Sequence, residues 1–378
     1  TYYHWASGSI ASLVRHDFGR FFPELLGLVF QGHPHLPVNI EGIGNATGSM
    51  TGIAALVSIL VDDSLYAKCL VLATASFFGE LAIYRVFRET YHQRFHENLL
   101  FATMLLPSTI FWTSGLLKEA VAMSGFGWLV LGTHRVLRGR RAVGLVLVAV
   151  GGLLVAAVKP YILIPYGLAT GVWWFWIRAQ RVSGSAAVVI RPVYFVLGGA
   201  FALGVMLAVG QIFPRYAISS IVETTAGMQT TGQRITGGSG YALGDSVERS
   251  AGGQLLYAPF ALFTALFRPL FFETSSVPMA VNVLETTAIT GLFIRAVYRS
   301  SWRRLWEITR SSPFLMFGLV FTLSFGTAVG LASTNLGSLA RYRVPLMPFY
   351  VAMVALWNMT VQRAQAPVRP RSRSAPNG

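Results

Sequence analysis

The sequence predicts an all-α, polytopic membrane protein: a bundle of about 9–11 membrane segments with interfacial or re-entrant helices on the outer side. Three observations carry this. Of 378 residues, 53% are hydrophobic and only 12% charged, and the mean hydropathy is +0.55. A water-soluble chain of that length needs far more polar surface to cover its core. Long apolar runs also recur, at Ala142 to Val158, Tyr161 to Ile177, Val193 to Phe213, Pro313 to Ala332 and Val344 to Val361. Each approaches the roughly 20 residues with which a helix crosses a hydrocarbon core of about 30 Å. Finally, the runs are continuously apolar instead of alternating. That argues against a closed β-barrel, the other structure that satisfies its backbone in lipid.

The elements follow in order. Ile10 to Phe30 has Leu13, Phe18, Phe21, Phe22, Leu25 and Leu26 at helical spacing, with Arg15, His16, Asp17 and Arg20 interleaved. This pattern suits a helix lying in the interface plane. Gly48 to Val61 is short for a span, and residues 1–47 are assigned to the outer side. Asn98 to Phe111 and Leu117 to His134 read as two spans joined outside at Trp112 to Leu116. The next two spans meet at an outer turn, Lys159-Pro160. Residues 214–254, rich in Gly, Ser and Thr, form a long outer loop, a length at which loops are commonly lids. Leu255 to Phe272 is apolar but interrupted by Pro259 and by Arg268-Pro269, so it reads as re-entrant or interfacial. Val277 to Ile294, Pro313 to Ala332 and Val344 to Val361 then cross in turn. Residues 1–363 make one transmembrane helical domain, and 364–378 a disordered basic tail on the cytoplasmic side.

Charge sets the orientation. The formal net charge is +15, yet the basic residues sit in short loops beside apolar runs, with no basic nucleic-acid fold, so no nucleic-acid partner is expected. Arginines cluster at Arg85, Arg88 and Arg94, at Arg135 to Arg141, at Arg178 to Arg191, at Arg295 to Arg310 and in the tail. The positive-inside rule assigns all these loops to the cytoplasm, in a multi-pass protein of a bacterial inner membrane. Lone Cys69 excludes an internal disulfide. With no Met and no charged leader ahead of Thr1, the chain is expected to start inside a longer natural protein.

Few residues remain to carry chemistry. Pro107-Ser108, Phe111-Trp112 and Lys118-Glu119 put a proline break, an aromatic pair and an adjacent cation and carboxylate at the outer ends of two helices. Ionisable groups near membrane depth are costly and point to function, although Lys118 can also snorkel to headgroups. Arg341-Tyr342-Arg343 opens the last span on the outside, against the positive-inside trend, and arginine's planar fork suits phosphate. Arg268 interrupts an apolar stretch and needs either a polar cavity or a partner, with Glu273 and Glu285 the candidates. His33-Pro34-His35 lacks standard metal spacing, and His92 and His96 fall in a basic loop. The sequence names no metal ligands and no cofactor, and a divalent ion stays open.

Tyr2-Tyr3-His4-Trp5-Ala6, the Pro107 to Glu119 segment and the closing Arg341-Tyr342-Arg343-Val344-Pro345 with Pro348-Phe349 resemble multi-spanning GT-C glycosyltransferases. Those are the bacterial enzymes similar to the protein mannosyltransferase and lipid A aminoarabinose transferase families. The likeness covers most of the chain through loose motifs. It implies transfer of a sugar from a polyprenyl-phosphate donor to an acceptor on the outer face, with membrane lipids as surroundings. It also implies a carboxylate in the first outer loop as general base and cations on the phosphate leaving group. On this resemblance Lys118, Arg341 and Arg343, together with Glu119 and Arg268, bind substrate. The family's aspartate lies just before an aromatic stretch like Tyr2-Tyr3, a position ahead of Thr1, which leaves Asp17 and Glu41 as the catalytic candidates. A polymerase or ligase of lipid-linked glycans, or a flippase for a lipid-linked sugar, are the competing readings. The nearly uncharged span centres count against the flippase.

Overall fold

The computed structural model describes residues 2–184, 186–214, 220, 251–273 and 277–365. Among these every regular element is helical, and six helices are long and apolar enough to cross a membrane. Most of the loop expected over 214–254, and the tail beyond Gln365, lie outside the described residues.

The chain opens with α1 (Tyr2–His16) and α2 (Phe18–Val29). They part at Asp17, whose carboxylate accepts the Arg20 N–H at 3.1 Å and caps α2. The single interfacial helix expected over Ile10 to Phe30 is therefore two helices. The Asp17 cap ends one and starts the other. An Asn45 cap starts α3 (Ala46–Val61). Ile10, Val14, Leu25, Leu28 and Ala55 bury themselves among these three helices as a small separate core.

Then come α4 (Leu65–Thr90), the short α5 (His96–Met104) and α6 (Pro107–Thr113), the hairpin of α7 (Lys118–Leu137) and α8 (Arg141–Val158), then α9 (Leu163–Gln180) and α10 (Ala186–Ile212). After residues 215–250 follow α11 (Ala251–Leu256), α12 (Ala258–Phe267), α13 (Val277–Tyr298), α14 (Trp302–Ser311), α15 (Pro313–Ala332), α16 (Leu336–Tyr342) and α17 (Met347–Gln365). The helices share two rims. At one, Glu119 at the start of α7 meets Lys159 at the end of α8 and Arg341 of α16. At the other, Glu89 at the end of α4 meets Arg135 at the end of α7, and Trp176 of α9 meets the Arg310 carbonyl of α14. This second, arginine-rich rim is the one the positive-inside rule assigns to the cytoplasm. Both ends of α3 stay at the Glu119 rim: Thr47 bonds Lys118, and Asp63 pairs with Lys68 in the first turn of α4. So α3 roofs the bundle.

Close packing needs small residues where helices touch, because lipid supplies no hydrophobic drive between them. Gly79 of α4 and Gly127 of α7 approach so closely that a Cβ on Gly127 would collide with the Gly79 carbonyl. Gly171 and Gly198 do the same for α9 and α10. The bundle centre is aromatic. Phe314, Phe317, Phe321 and Phe325 recur along one face of α15 with successive ring planes within 9°, 1° and 8°. Phe349 of α17 meets Phe314, Phe317 and Phe321 edge-on. Such pairs add about 0.5–1.5 kcal/mol each beyond burial.

Two elements depart from full spans. Asn98 to Phe111 is not continuous: α5 ends at Met104, Leu106 is extended (φ −74°, ψ 121°), and α6 starts at Pro107. Proline disfavours helical backbone in the residue before it, which forces the break. The freed groups are satisfied by Glu285 of α13, which accepts the Ser108 N–H at 2.7 Å and the Ser108 hydroxyl at 2.6 Å. The ten-residue α12 is about 15 Å long, half a bilayer core. It packs on α15 and stops at Arg268.

Candidate functional site

The polar centre at the Glu119 rim grows from four elements. α7 begins without a side-chain cap, and its first two residues are Lys118 and Glu119. Glu119 turns into the bundle and is 1% exposed. The α8–α9 turn delivers Lys159, also buried, whose Nζ donates to Glu119 Oε1 at 2.7 Å. α16, capped by Asn335, delivers Arg341. Its Nη2 donates to Glu119 Oε2 at 2.7 Å, while Nε lies 2.6 Å from Oε1. One carboxylate is thus gripped by two cations, the guanidinium through one Nη2 hydrogen bond with its Nε in charge contact alone.

The third cation is Lys118, half-buried, which donates to Thr47 Oγ1 at 2.9 Å. Its ammonium carries no ion pair among the described residues. Aromatic rings line the centre. Trp112 lies 5.8 Å from the Arg341 guanidinium carbon, and the Tyr342 ring 5.2 Å from Lys159 Nζ. Tyr3 sits within the field of Arg341 and Glu119, and burial pushes its phenol above the ordinary value. With three cations around one carboxylate, the centre carries a net positive charge and two partly exposed cations, Lys118 and Arg341. That is an anion-binding arrangement.

The residues singled out in the sequence separate into distinct places. Lys118, Glu119 and Arg341 come together. Arg343 does not join them: it is 1% exposed and turned the other way. It donates to the Arg268 carbonyl at 2.6 Å, the Ala265 carbonyl at 3.3 Å, Asn282 Oδ1 at 2.8 Å and Thr286 Oγ1 at 2.9 Å. It ties the end of α12 to α13. Arg268 belongs to the same knot and pairs with Glu273 of the following turn, not with Glu285. Partial burial alone would raise the Glu273 carboxyl. The Arg268 guanidinium and the Leu270 N–H offset that and hold it below the ordinary carboxylate range.

Of the two acids expected as base, Asp17 is exposed and occupied as the α2 cap. The 15 residues of α1 hold it about 20 Å from Tyr3. Glu41 is exposed, and its backbone N–H donates to the Tyr2 hydroxyl, so it lies beside the aromatic start of α1.

Three buried ionisable residues escaped the sequence reading. Lys159 was legible only as half of a turn, although a lone lysine between two apolar runs signals a buried partner. Lys68 is fully buried, bonding His4 Nδ1 at 3.1 Å, Ser7 Oγ at 3.0 Å and Asp63. Glu80 lies inside α4 with Thr113 Oγ1 at 3.2 Å and Ser76 Oγ at 3.4 Å. Among the described residues no three His, Cys, Asp or Glu side chains gather as a metal-binding set. No protein-family model, curated protein or solved structure matches this chain.

Proposed function

We propose that this chain is a membrane glycosyltransferase that takes a sugar from a polyprenyl-phosphate donor and passes it to an acceptor at the Glu119 rim. The observation that carries this reading is the meeting of Lys159 and Arg341 on the single carboxylate of Glu119, with the Lys118 ammonium next to it on the Thr47 hydroxyl. Phosphate leaving from the anomeric carbon gains negative charge, and preorganised cations at a water-poor rim stabilise that charge as it develops. Lys118, whose hydrogen-bond partner among the described residues is the Thr47 hydroxyl, and the exposed side of Arg341 are the groups available to phosphate oxygens. Glu119 and Lys159 hold the guanidinium in place, and Trp112, Tyr342 and Tyr3 offer flat apolar walls for a sugar or a prenyl chain. Of the two acids that the family resemblance suggests, Glu41 has its backbone beside Tyr2, and we assign it to accept the acceptor hydroxyl proton.

The test is transfer from radiolabelled polyprenyl-phosphate sugars in membranes carrying the full protein. Lys118→Met and Arg341→Gln should each lower turnover by roughly 100-fold while folded protein persists. Glu41→Gln should do so with donor binding retained. Asp17→Ala should leave turnover within about twofold, since that carboxylate caps a helix remote from the centre. Full activity in folded Lys118→Met and Arg341→Gln would remove the reading.

A further inference from the structure

The arginine-rich rim holds a second feature, unrelated to the Glu119 centre. There α14 packs on α15 and its end meets α9, with Trp302 and Trp306 exposed on it, a feature of helices that rest in the membrane interface. A crevice of about 600 Å³ opens between α14, α9 and α10. Its floor is apolar, formed by Phe175, Trp176 and Ala179, and its lip carries Arg191 and Arg310. The end of α14 is pinned to α9, since Trp176 Nε1 donates to the Arg310 carbonyl at 2.8 Å and Gln180 Nε2 reaches the same oxygen at 3.3 Å. The pinning uses the Arg310 backbone and leaves its guanidinium exposed. Arg191 is exposed too, and spends one Nη2 donor on the Val182 carbonyl at 3.0 Å. Glu307, the acid lining the crevice, is already paired with Arg303 and Arg304. It therefore does not neutralise the lip.

We propose that this crevice binds one anionic phospholipid of the adjoining leaflet, its phosphate between Arg191 and Arg310 and its acyl chains along Phe175 and Trp176. Charge complementarity selects the occupant. A fork of guanidinium donors recognises phosphate oxygens, and the apolar floor below takes hydrocarbon. A soluble phosphate would leave that floor unoccupied. A zwitterionic lipid would bring an ammonium group to two arginines.

The experiment is native mass spectrometry of the purified full chain in detergent, with added phosphatidylglycerol or phosphatidylcholine of the same acyl chains. The wild type should retain phosphatidylglycerol about tenfold more than phosphatidylcholine. Arg191→Gln/Arg310→Gln should abolish that preference with the protein still folded. Arg140→Gln, at an exposed position of the same rim outside the crevice lining, should preserve it. Millimolar inorganic phosphate should not displace the lipid. Equal retention of the two lipids by the wild type, an unchanged preference in the double variant, or displacement by inorganic phosphate would each overturn the proposal. Sugar transfer reads the opposite rim, so failure of either proposal is separable from failure of the other.

Discussion

Glu119 is an acid held by two cations where almost no water reaches, so its charge matters more than its shape. Replacing Lys159 by Met leaves it with Arg341 alone and should cost about 3 kcal/mol, read as a lower melting temperature in detergent. The double variant Glu119→Gln/Lys159→Met should recover part of that loss, because the two changes remove both members of one pair. Arg341 and Arg343, two residues apart, should behave differently. Arg341→Gln lowers the melting temperature through its lost pair with Glu119 and also impairs transfer in the protein that still folds, whereas Arg343→Gln leaves buried carbonyl, amide and hydroxyl acceptors unpaired and acts through the melting temperature alone. Glu273 adds a pH dependence. Its folded carboxyl titrates below the ordinary range, so its pair with Arg268 stabilises the fold above about pH 4, and that contribution fades as pH falls through the folded value. A wild-type melting temperature that falls in acid, with a smaller fall in Glu273→Gln, is the expected result. The sequence marked Arg341 and Arg343 as equals, because a linear motif does not tell which way a side chain turns at the end of a seven-residue helix. It also left Lys159 as a turn residue, because its partner lies 40 positions away.

At the scale of elements, apolar runs of 18 to 27 residues were legible as helices wherever charge was sparse, as in α8, α10 and α15. The sequence reading did not single out α4 as a span. Lys68, Glu80, Arg85, Arg88 and Glu89 interrupt its run, and each is tolerated only because another element supplies a partner or the helix end reaches the rim. The split of α5 from α6 was half-visible: Pro107 announced a break, but nothing nearby announced the acceptor that makes it affordable in lipid. Glu285→Ala removes that acceptor from the Ser108 amide and hydroxyl and should cost about 2–4 kcal/mol, with Glu285→Gln milder. Close approach sets a second limit. Gly127→Val forces α7 away from α4 and should destabilise by about 1–3 kcal/mol, whereas Gly204→Ala, which meets open space, should be nearly neutral in the same melt.

For the molecule as a whole, charge and parity led the sequence reading to expect arginine-rich loops on one side, and the structure gathers Arg135 and Arg310 at one rim and the Glu119 ion pairs at the other. Labelling with a membrane-impermeant thiol reagent checks this. In a Cys69→Ala background, Arg140→Cys should react only from the cytoplasmic side and Ser114→Cys only from the opposite side. Labelling of both from one side would invert or discard the arrangement. The Ser108–Glu285 contact also constrains biogenesis. Its partners are 177 positions apart, so at about 5–20 residues per second the ribosome needs roughly ten seconds or more after Ser108 to make the carboxylate. Until then the nascent α5–α6 pair has bare amide groups at its joint. Packing of the α5–α6 joint should therefore be complete only after α13 has been made.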